Sequence, residues 1–213
     1  MKTNELIAML ARGDVAVAPL RVERRFAIGM GLGLGVTVML MAITLGARDD
    51  LGVVLHMPMF WVKLAFASSL AFAGLLGVVR LSRPGTQLGH TPAAMLVPPV
   101  ALWLLALVSL YSAAPQQRVQ LILGDTWNVC PVLIAALAVP VFVGALWATR
   151  GLAPTRLRMA AATAGLSSGA FATLVYSLHC PEMAAPFIAT WYTLGIAIPA
   201  VVGALLGPHL LRW

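Results

Sequence analysis

This sequence has very little charge for its length. Only 10% of its 213 residues are charged, and only seven residues are acidic. Soluble domains are about one quarter charged and about half apolar. Here 61% of the residues are hydrophobic and the mean hydropathy is +0.93. Because a soluble core of this size has no room for so much apolar surface, the composition excludes a soluble domain and predicts an integral membrane protein.

Cysteines and catalytic motifs are also scarce. The chain has two cysteines, Cys130 and Cys180, and no Cys-x-x-Cys pair. It contains no nucleophile elbow, no phosphate-binding loop and no pair of carboxylates inside an apolar run. These absences predict that the protein is not an enzyme and that it needs no resident cofactor.

The net charge of +7 would indicate nucleic-acid binding in a soluble protein. In this chain, however, the basic residues flank the apolar runs, so they are better read as determinants of membrane topology. We therefore predict no direct contact with nucleic acid.

What the chain has in abundance is long apolar runs. Each is close to the roughly 20 residues that cross a hydrocarbon core. The first follows a polar tail and is long enough to act as an uncleaved anchor. The sequence predicts an all-α, polytopic bundle of six transmembrane helices, in contact with the lipid bilayer, at residues 26–46, 59–79, 93–113, 129–148, 159–178 and 186–206.

Basic residues collect on alternate loops. They lie in the N-terminal tail, around Arg80, around Arg156 and at Arg212, whereas the other loops have only Arg48 and Arg118. Basic loops mark the cytoplasmic side, so both termini are predicted to be cytoplasmic, in agreement with an even number of spans. The predicted location is the inner membrane of a bacterium, with both cysteines on the periplasmic side.

This topology divides the chain into a cytoplasmic N-terminal tail, residues 1–25, and a six-helix transmembrane sensor domain, residues 26–213. In the tail, Leu6, Ile7 and Leu10 share one face of a short amphipathic helix. Such a short helix is marginal in water. It would either form against a protein partner or belong to a disordered tail that touches the lipid surface.

The two cysteines are predicted to lie at one face of the membrane, at the outer ends of the fourth and fifth spans. Two readings are open. The pair is either a static disulfide between helix ends, or a redox or thiol–metal switch whose exposed sulfurs meet oxidants or soft metals. His179 would complete a metal site with Cys130 and Cys180, helped by the same-side residues Glu182, Asp125 and His56. The spacing matches no standard zinc signature.

Lys63 lies one turn inside the second span, where an ionisable residue is a functional candidate by default. It is predicted either to extend its charge outward to the interface or to pair with Asp49, Asp50 or Glu182. Together with Asp125 and Glu182, it is predicted to support the cysteine site.

Glycines and aromatic residues complete the pattern. Gly29/Gly33 and Gly31/Gly35 form two small-xxx-small pairs in the first span, which predict close helix packing. An interfacial belt is predicted from aromatic residues near the outer span ends, namely Trp61, Tyr111, Trp127, Trp191 and Tyr192.

Several motifs resemble one family, the NrsF-type membrane anti-sigma factors, which are negative regulators of sigma-F-like extracytoplasmic-function sigma factors. The two cysteine motifs are the most specific, Gly124-Asp125-Thr126-Trp127 leading to Cys130, and His179-Cys180-Pro181-Glu182. Supporting stretches are Met1-Lys2-Thr3 with Glu5-Leu6-Ile7, Phe60-Trp61-Val62-Lys63-Leu64, Arg80 to Pro84, Phe187 with Trp191-Tyr192-Thr193-Leu194-Gly195, and Leu210-Leu211-Arg212-Trp213.

The resemblance implies a six-span inner-membrane protein that binds an extracytoplasmic-function sigma factor at its cytoplasmic side. It also implies that Cys130 and Cys180 respond to heavy metals, which would bind transiently, or to oxidants, and that this response releases the sigma factor. Leu6, Ile7 and Leu10 would then hold the partner.

Two other classes of function remain alternatives. A membrane thiol-disulfide oxidoreductase usually needs a Cys-x-x-Cys pair or a second cysteine pair, and this chain has one separated pair. A small metal transporter or channel would need polar groups in the middle of several spans, where this sequence has only small hydroxyls such as Thr37 and Ser167.

Overall fold

The structure is a computed structural model that describes residue 5 and residues 20–83, 85–152 and 154–212, without the side chains of residues 20 and 21. Helices make up about four fifths of these residues, and no strand occurs among them. In chain order they are α1 (Leu20–Thr44), α2 (Leu51–Val54), α3 (Pro58–Leu81), α4 (Thr91–Ser112), α5 (Pro115–Leu123), α6 (Cys130–Arg150), α7 (Leu157–Tyr176), α8 (Ala185–Phe187), a π-helical turn (Ile188–Tyr192) and α9 (Thr193–Leu210).

Six helices are long and apolar enough to cross a membrane, which confirms the predicted number of spans. They are α1, α3, α4, α6, α7 and the last span, in which α8, the π-helical turn and α9 run on as one helix, Ala185–Leu210. The first helix begins at Leu20, six residues before the predicted start, because charged residues such as Glu23 are good helix formers outside lipid. The last span continues to Leu210 although it contains Pro199 and Pro208.

Helix α7 lies at the centre of the bundle. It packs against α3, α6 and α9. Half of its 20 residues are alanine, glycine or serine, and nine of these ten are buried. Two glycines explain its close approach to α9, since a Cβ on Gly165 would meet the carbonyl of Pro199 and one on Gly203 would meet that of Ala161. Small residues let helix backbones approach this closely in membranes.

The prediction from the glycines of α1 is half right. A Cβ on Gly29 would lie 2.5 Å from the carbonyl oxygen of Gly144, and one on Gly33 would lie 2.6 Å from that of Pro140, so this pair packs against α6. A Cβ on Gly31 or Gly35 would meet nothing within 4 Å. The second pair faces away because residues two apart point to different sides of a helix.

Helix α4 is the most peripheral span. Thr91, Leu102 and Ala106 are its buried residues among those described, whereas four of its leucines and its three valines are exposed. Such a surface would be a liability in water but is expected in contact with lipid. Pro98 and Pro99 lie inside this helix, where a neighbouring span can tolerate the lost backbone hydrogen bonds.

Candidate functional site

Cys130 and Cys180 meet at one end of the bundle, which we call the thiol end and define by the end of α1 and the starts of α3, α6 and the last span. Cys130 is the first residue of α6, and its N–H donates to Thr126 O at 2.9 Å. Cys180 follows α7, and its N–H donates to Tyr176 O at 3.0 Å. The predicted position of both cysteines at neighbouring helix ends is confirmed.

The two thiols are free, and they lie close enough together to influence each other's ionisation. Both residues are completely buried, so the expectation of exposed sulfurs was wrong. The pKa of the Cys180 thiol is lowered from its ordinary value by the neighbouring Cys130 thiol and by the nearby Lys63 ammonium, although burial acts in the opposite direction. Cys180 is therefore the sulfur of the pair that more readily forms a thiolate, the reactive form.

Two tyrosines enclose the thiols. The Tyr176 hydroxyl lies near the Cys130 thiol, and the Tyr176 ring centroid lies 6.0 Å from that of Tyr192. The Tyr192 hydroxyl faces Cys180 without forming a well-aligned hydrogen bond. Tyr192 is completely buried, which corrects its predicted place in the interfacial belt. It lies in the π-helical turn, an irregularity that often marks functional sites.

Lys63 reaches into the thiol end from α3. Its side chain is completely buried, so the prediction that it extends outward to the interface was wrong. Its Nζ donates to the carbonyl oxygens of Cys180 and Glu182, both at 3.1 Å, and lies 5.1 Å from the centroid of the Tyr192 ring. Its partner in Glu182 is thus the backbone carbonyl and not the predicted carboxylate.

A second cation reaches the same turn from the loop after α1. The Arg48 guanidinium donates to Cys180 O at 3.2 Å and to both carboxylate oxygens of Asp50, at 2.5 and 2.7 Å. This ion pair raises the pKa of Arg48 and lowers that of Asp50. Nearby, Nδ1 of His179 lies 3.0 Å from Gly46 O. The segment after α1 is therefore tied to the cysteine turn.

Glu182 joins the turn to the loop before α6. Its carboxylate accepts a hydrogen bond from the Asp125 N–H at 2.8 Å and contacts the Thr126 hydroxyl at 3.4 Å. Gly124 has a φ of +57°, and a Cβ there would lie 2.6 Å from Phe187 and 2.7 Å from the Glu182 carboxylate. Glycine is therefore required at this point.

The predicted larger metal site is not assembled. No group of three or more histidine, cysteine, aspartate or glutamate side chains in the described parts of the chain is arranged to hold a metal ion. His179 faces Gly46, and Glu182 is engaged by Asp125 and Thr126. What remains for a soft cation is the two sulfurs of Cys130 and Cys180.

The opposite end of the bundle, which we call the arginine end, carries most of the positive charge. Arg25 lies 4.5 Å from the centroid of the Trp147 ring, and Arg80 donates to Leu88 O and to Thr91 Oγ1, both at 2.7 Å. Other arginines there are exposed, namely Arg24, Arg150, Arg156, Arg158 and Arg212.

A polar cavity of about 310 Å³ opens between two loops of the arginine end. Arg83 and Arg156 contribute its two charges, and no carboxylate is among its described lining residues, which also include Thr86, Gln87 and Thr155. Arg83 has a distant ion pair, 3.9 Å from Glu23. The cavity is suited to an anionic group.

Comparison with known proteins decides the family. Residues 10–213 match the sequence profile described as "Negative regulator of sigma F". The chain belongs to the NrsF family. Across the full length of both chains, it is 49% identical to the "Probable anti-sigma-F factor NrsF" of Azospira oryzae and 39% identical to the "Anti-sigma-F factor NrsF" of Caulobacter vibrioides. No solved structure matches the chain.

Membership of the NrsF family confirms the resemblance seen in the sequence. Leu6, Ile7 and Leu10, the predicted partner-binding residues, lie outside the described residues. Sequence reasoning missed three residues of the thiol end, Arg48, Tyr176 and Tyr192. Of these three, only Arg48 was noticeable in the sequence, because it and Arg118 are the basic residues on the loops that otherwise lack positive charge.

Proposed function

We propose that this chain is a membrane anti-sigma factor that holds a sigma factor of the extracytoplasmic-function class at its arginine end and releases it when Cys130 and Cys180 react. The observation that carries the proposal is the buried, directly interacting thiol pair at the far end of a central helix from the basic loops. Family membership supports a negative regulator of sigma F.

The orientation follows from the charges. The arginine end faces the cytoplasm, because basic residues are retained on that side. The thiol end then faces the periplasm of a bacterial inner membrane. The tail of residues 1–25 lies with the arginine end, where Leu6, Ile7 and Leu10 provide an apolar strip for the partner. The exposed arginines supply charge complementary to an acidic surface of the sigma factor.

The signal is a chemical change at the two sulfurs. An oxidant takes two electrons and two protons from the thiols and leaves a disulfide. A thiophilic metal cation instead displaces the thiol protons and binds both sulfurs. A disulfide brings the two sulfurs to about 2 Å, whereas a bound metal cation sets their distance and angle by its own coordination geometry. Either product changes the present contact between the sulfurs, so the starts of α6 and of the segment after α7 must shift relative to each other.

The central helix carries this shift across the membrane. Cys180 follows α7 by four residues, and the opposite end of α7 packs beneath the cytoplasmic loops, where a Cβ on Gly207 would lie 2.7 Å from Leu157 O. The contacts between α7 and α9 join backbone to backbone. Because few flexible side chains lie between the two helices, a displacement at one end of α7 is transmitted along it. A bound metal cation shifts the equilibrium between the two helix arrangements only as far as its affinities for them differ.

The rival functions gain no specific support. The mid-span hydroxyls that would serve a channel bond to backbone carbonyls instead, Thr37 to Leu137 and Ser167 to Ala71, both at 2.9 Å. An oxidoreductase of the membrane usually needs a Cys-x-x-Cys pair or a second cysteine pair, and this chain has only Cys130 and Cys180.

Purification of the protein from its native membrane tests the proposal. A sigma factor should co-purify with the full chain, and deletion of residues 1–20 should abolish or weaken its recovery. Recovery of no component of the transcription machinery would contradict the proposal. Metal uptake or dithiol turnover by the purified protein would favour the rivals.

A further inference from the structure

Lys63 is positioned to control the geometry of the thiol pair. It is one of two lysines in the chain, the other being Lys2, and it is completely buried. In the described parts of the chain, no carboxylate lies within ion-pair distance of it; the ion pairs found there join Arg48 to Asp50 and Arg83 to Glu23. A buried charge without a counter-ion is retained at high cost, so a functional reason for Lys63 should be sought.

The donors of the Lys63 ammonium are fully used. A lysine ammonium has three N–H donors. The carbonyl oxygens of Cys180 and Glu182 each lie 3.1 Å from Nζ, and the Tyr192 ring lies 5.1 Å away on its face. These three groups surround the Lys63 ammonium, and the two carbonyl oxygens belong to the turn that carries Cys180.

The turn is held from three other directions. Arg48 donates to the same Cys180 carbonyl at 3.2 Å, His179 bonds to Gly46 O, and the Cys180 N–H bonds to Tyr176 O. Of these contacts, only the one from Lys63 also fixes the residue two positions beyond the cysteine, Glu182. Lys63 therefore sets both the position of the Cys180 backbone and the direction in which the turn leaves it.

We propose that Lys63 is the positioning residue of the thiol switch: by holding the carbonyls of Cys180 and Glu182, it places the Cys180 sulfur against Cys130 for disulfide formation. This inference rests on the proposed function, since it assigns Lys63 a role in the same site. It makes no use of Lys63 as a reactive group. A disulfide demands narrow geometry, with Cα atoms within about 7 Å, so a loosened turn makes the reactive arrangement rarer.

The test is oxidation of the full-length protein in lipid nanodiscs by diamide. The azo group of diamide takes up the two electrons and two protons that the thiols lose. Disulfide formation is measured as the decrease in free thiols that a maleimide of high mass can label. Lys63→Met keeps a side chain of similar length but removes the three N–H donors of the ammonium group, and it should slow disulfide formation about tenfold or more. Lys63→Arg keeps the charge and donors and should stay within about threefold of the original chain.

Equilibration with a glutathione redox buffer gives a second reading. A tenfold loss of effective concentration between the thiols raises the reduction potential by about 30 mV, and Lys63→Met should show a shift of at least this size. Any shift from a general loosening of the bundle should also appear in a control variant that weakens the bundle away from the thiols. Ser167→Ala is the matched control, because it removes a 2.9 Å hydrogen bond between the same two helices, α7 and α3, far from the thiols.

Lys63→Gln keeps donors without charge and should fall between the other two variants, so a failure of Lys63→Met to fold does not remove the test. Oxidation of Lys63→Met at the original rate and potential would overturn the inference, as would a folded Lys63→Arg that is as slow as Lys63→Met. Because no sigma factor is present, these outcomes concern Lys63 alone. If the original chain forms no Cys130–Cys180 disulfide, that result contradicts both the role of Lys63 and the oxidation step of the proposed function.

Discussion

Two glycines of α1, two residues apart, should respond in opposite ways to the same substitution. A Cβ on Gly33 would lie 2.6 Å from Pro140 O and 2.7 Å from Val141 Cα, both backbone atoms of α6. A Cβ on Gly31 would meet nothing within 4 Å. Gly33→Ala therefore tests the packing of α1 on α6, and Gly31→Ala is its matched control in the same helix.

The expected magnitudes follow from these distances. Alanine is favoured over glycine in a helix by about 1 kcal/mol, so Gly31→Ala should raise the free energy of unfolding by up to about 1 kcal/mol. Carbon atoms pack best at about 3.5 Å or more, so Gly33→Ala must push the two helices apart by about 1 Å. Overpacking costs about 1–3 kcal/mol. After the gain of about 1 kcal/mol from helix propensity, Gly33→Ala should lose up to about 2 kcal/mol.

Thermal unfolding in detergent, followed by the fluorescence of the six tryptophans, is the assay. For a chain of this length, 1 kcal/mol corresponds to about 2–4 °C in Tm. Gly31→Ala should melt at or above the Tm of the original chain, and Gly33→Ala should melt about 2–12 °C below Gly31→Ala, since the two differ by the overpacking cost of about 1–3 kcal/mol. Equal shifts in the same direction would refute the described seam between α1 and α6.

Three further outcomes are expected. Alkylation of Cys180 by iodoacetamide, followed by mass spectrometry across pH, should be half-maximal below pH 7, since the lowered pKa keeps the thiolate populated there while an ordinary thiol titrates near about 8.5; a midpoint above 8 would contradict the described site. Thr37→Val removes a buried hydrogen bond of 2.9 Å to the backbone of α6, so unfolding should become easier by about 1 kcal/mol, seen as a Tm lower by about 3 °C; an unchanged Tm would show that the bond is not formed. Arg83→Glu combined with Arg156→Glu reverses the charge of the polar cavity, so sigma-factor affinity measured in nanodiscs should fall at least tenfold, whereas Arg118→Glu at the other end should leave it unchanged.

The fold could be predicted from the sequence because lipid imposes a simple rule. A span must be about 20 apolar residues long, and each of the six runs meets that rule. The span ends were less predictable, as the early start of α1 shows, because helix can continue into water through charged residues such as Glu23. The two small-residue pairs of α1 looked alike in sequence, and only the position of α6 distinguishes Gly33 from Gly31.

The two sulfurs could be predicted from the sequence, and so could the presence of Lys63, Asp125 and Glu182 beside them, but the contacts of these residues could not. Cys130 and Cys180 stood out because the chain has no other cysteine and because both precede proline near a span end. The burial of Lys63 was not predictable, because its acceptors are backbone carbonyls, which any sequence provides. Tyr192 resembled an interfacial aromatic residue in the sequence, and its burial depends on the π-helical turn that directs it toward Tyr176.

Oxidation of the two thiols should release the sigma factor from its complex with this chain. The complex of the full chain and its sigma factor would be captured in nanodiscs, and the bound fraction measured before and after diamide, with the Cys130→Ser/Cys180→Ser variant in parallel. Diamide should release the sigma factor from the original chain and leave it bound to the double variant. Equal release from both, or no release from either by diamide or by cadmium ion, would contradict it.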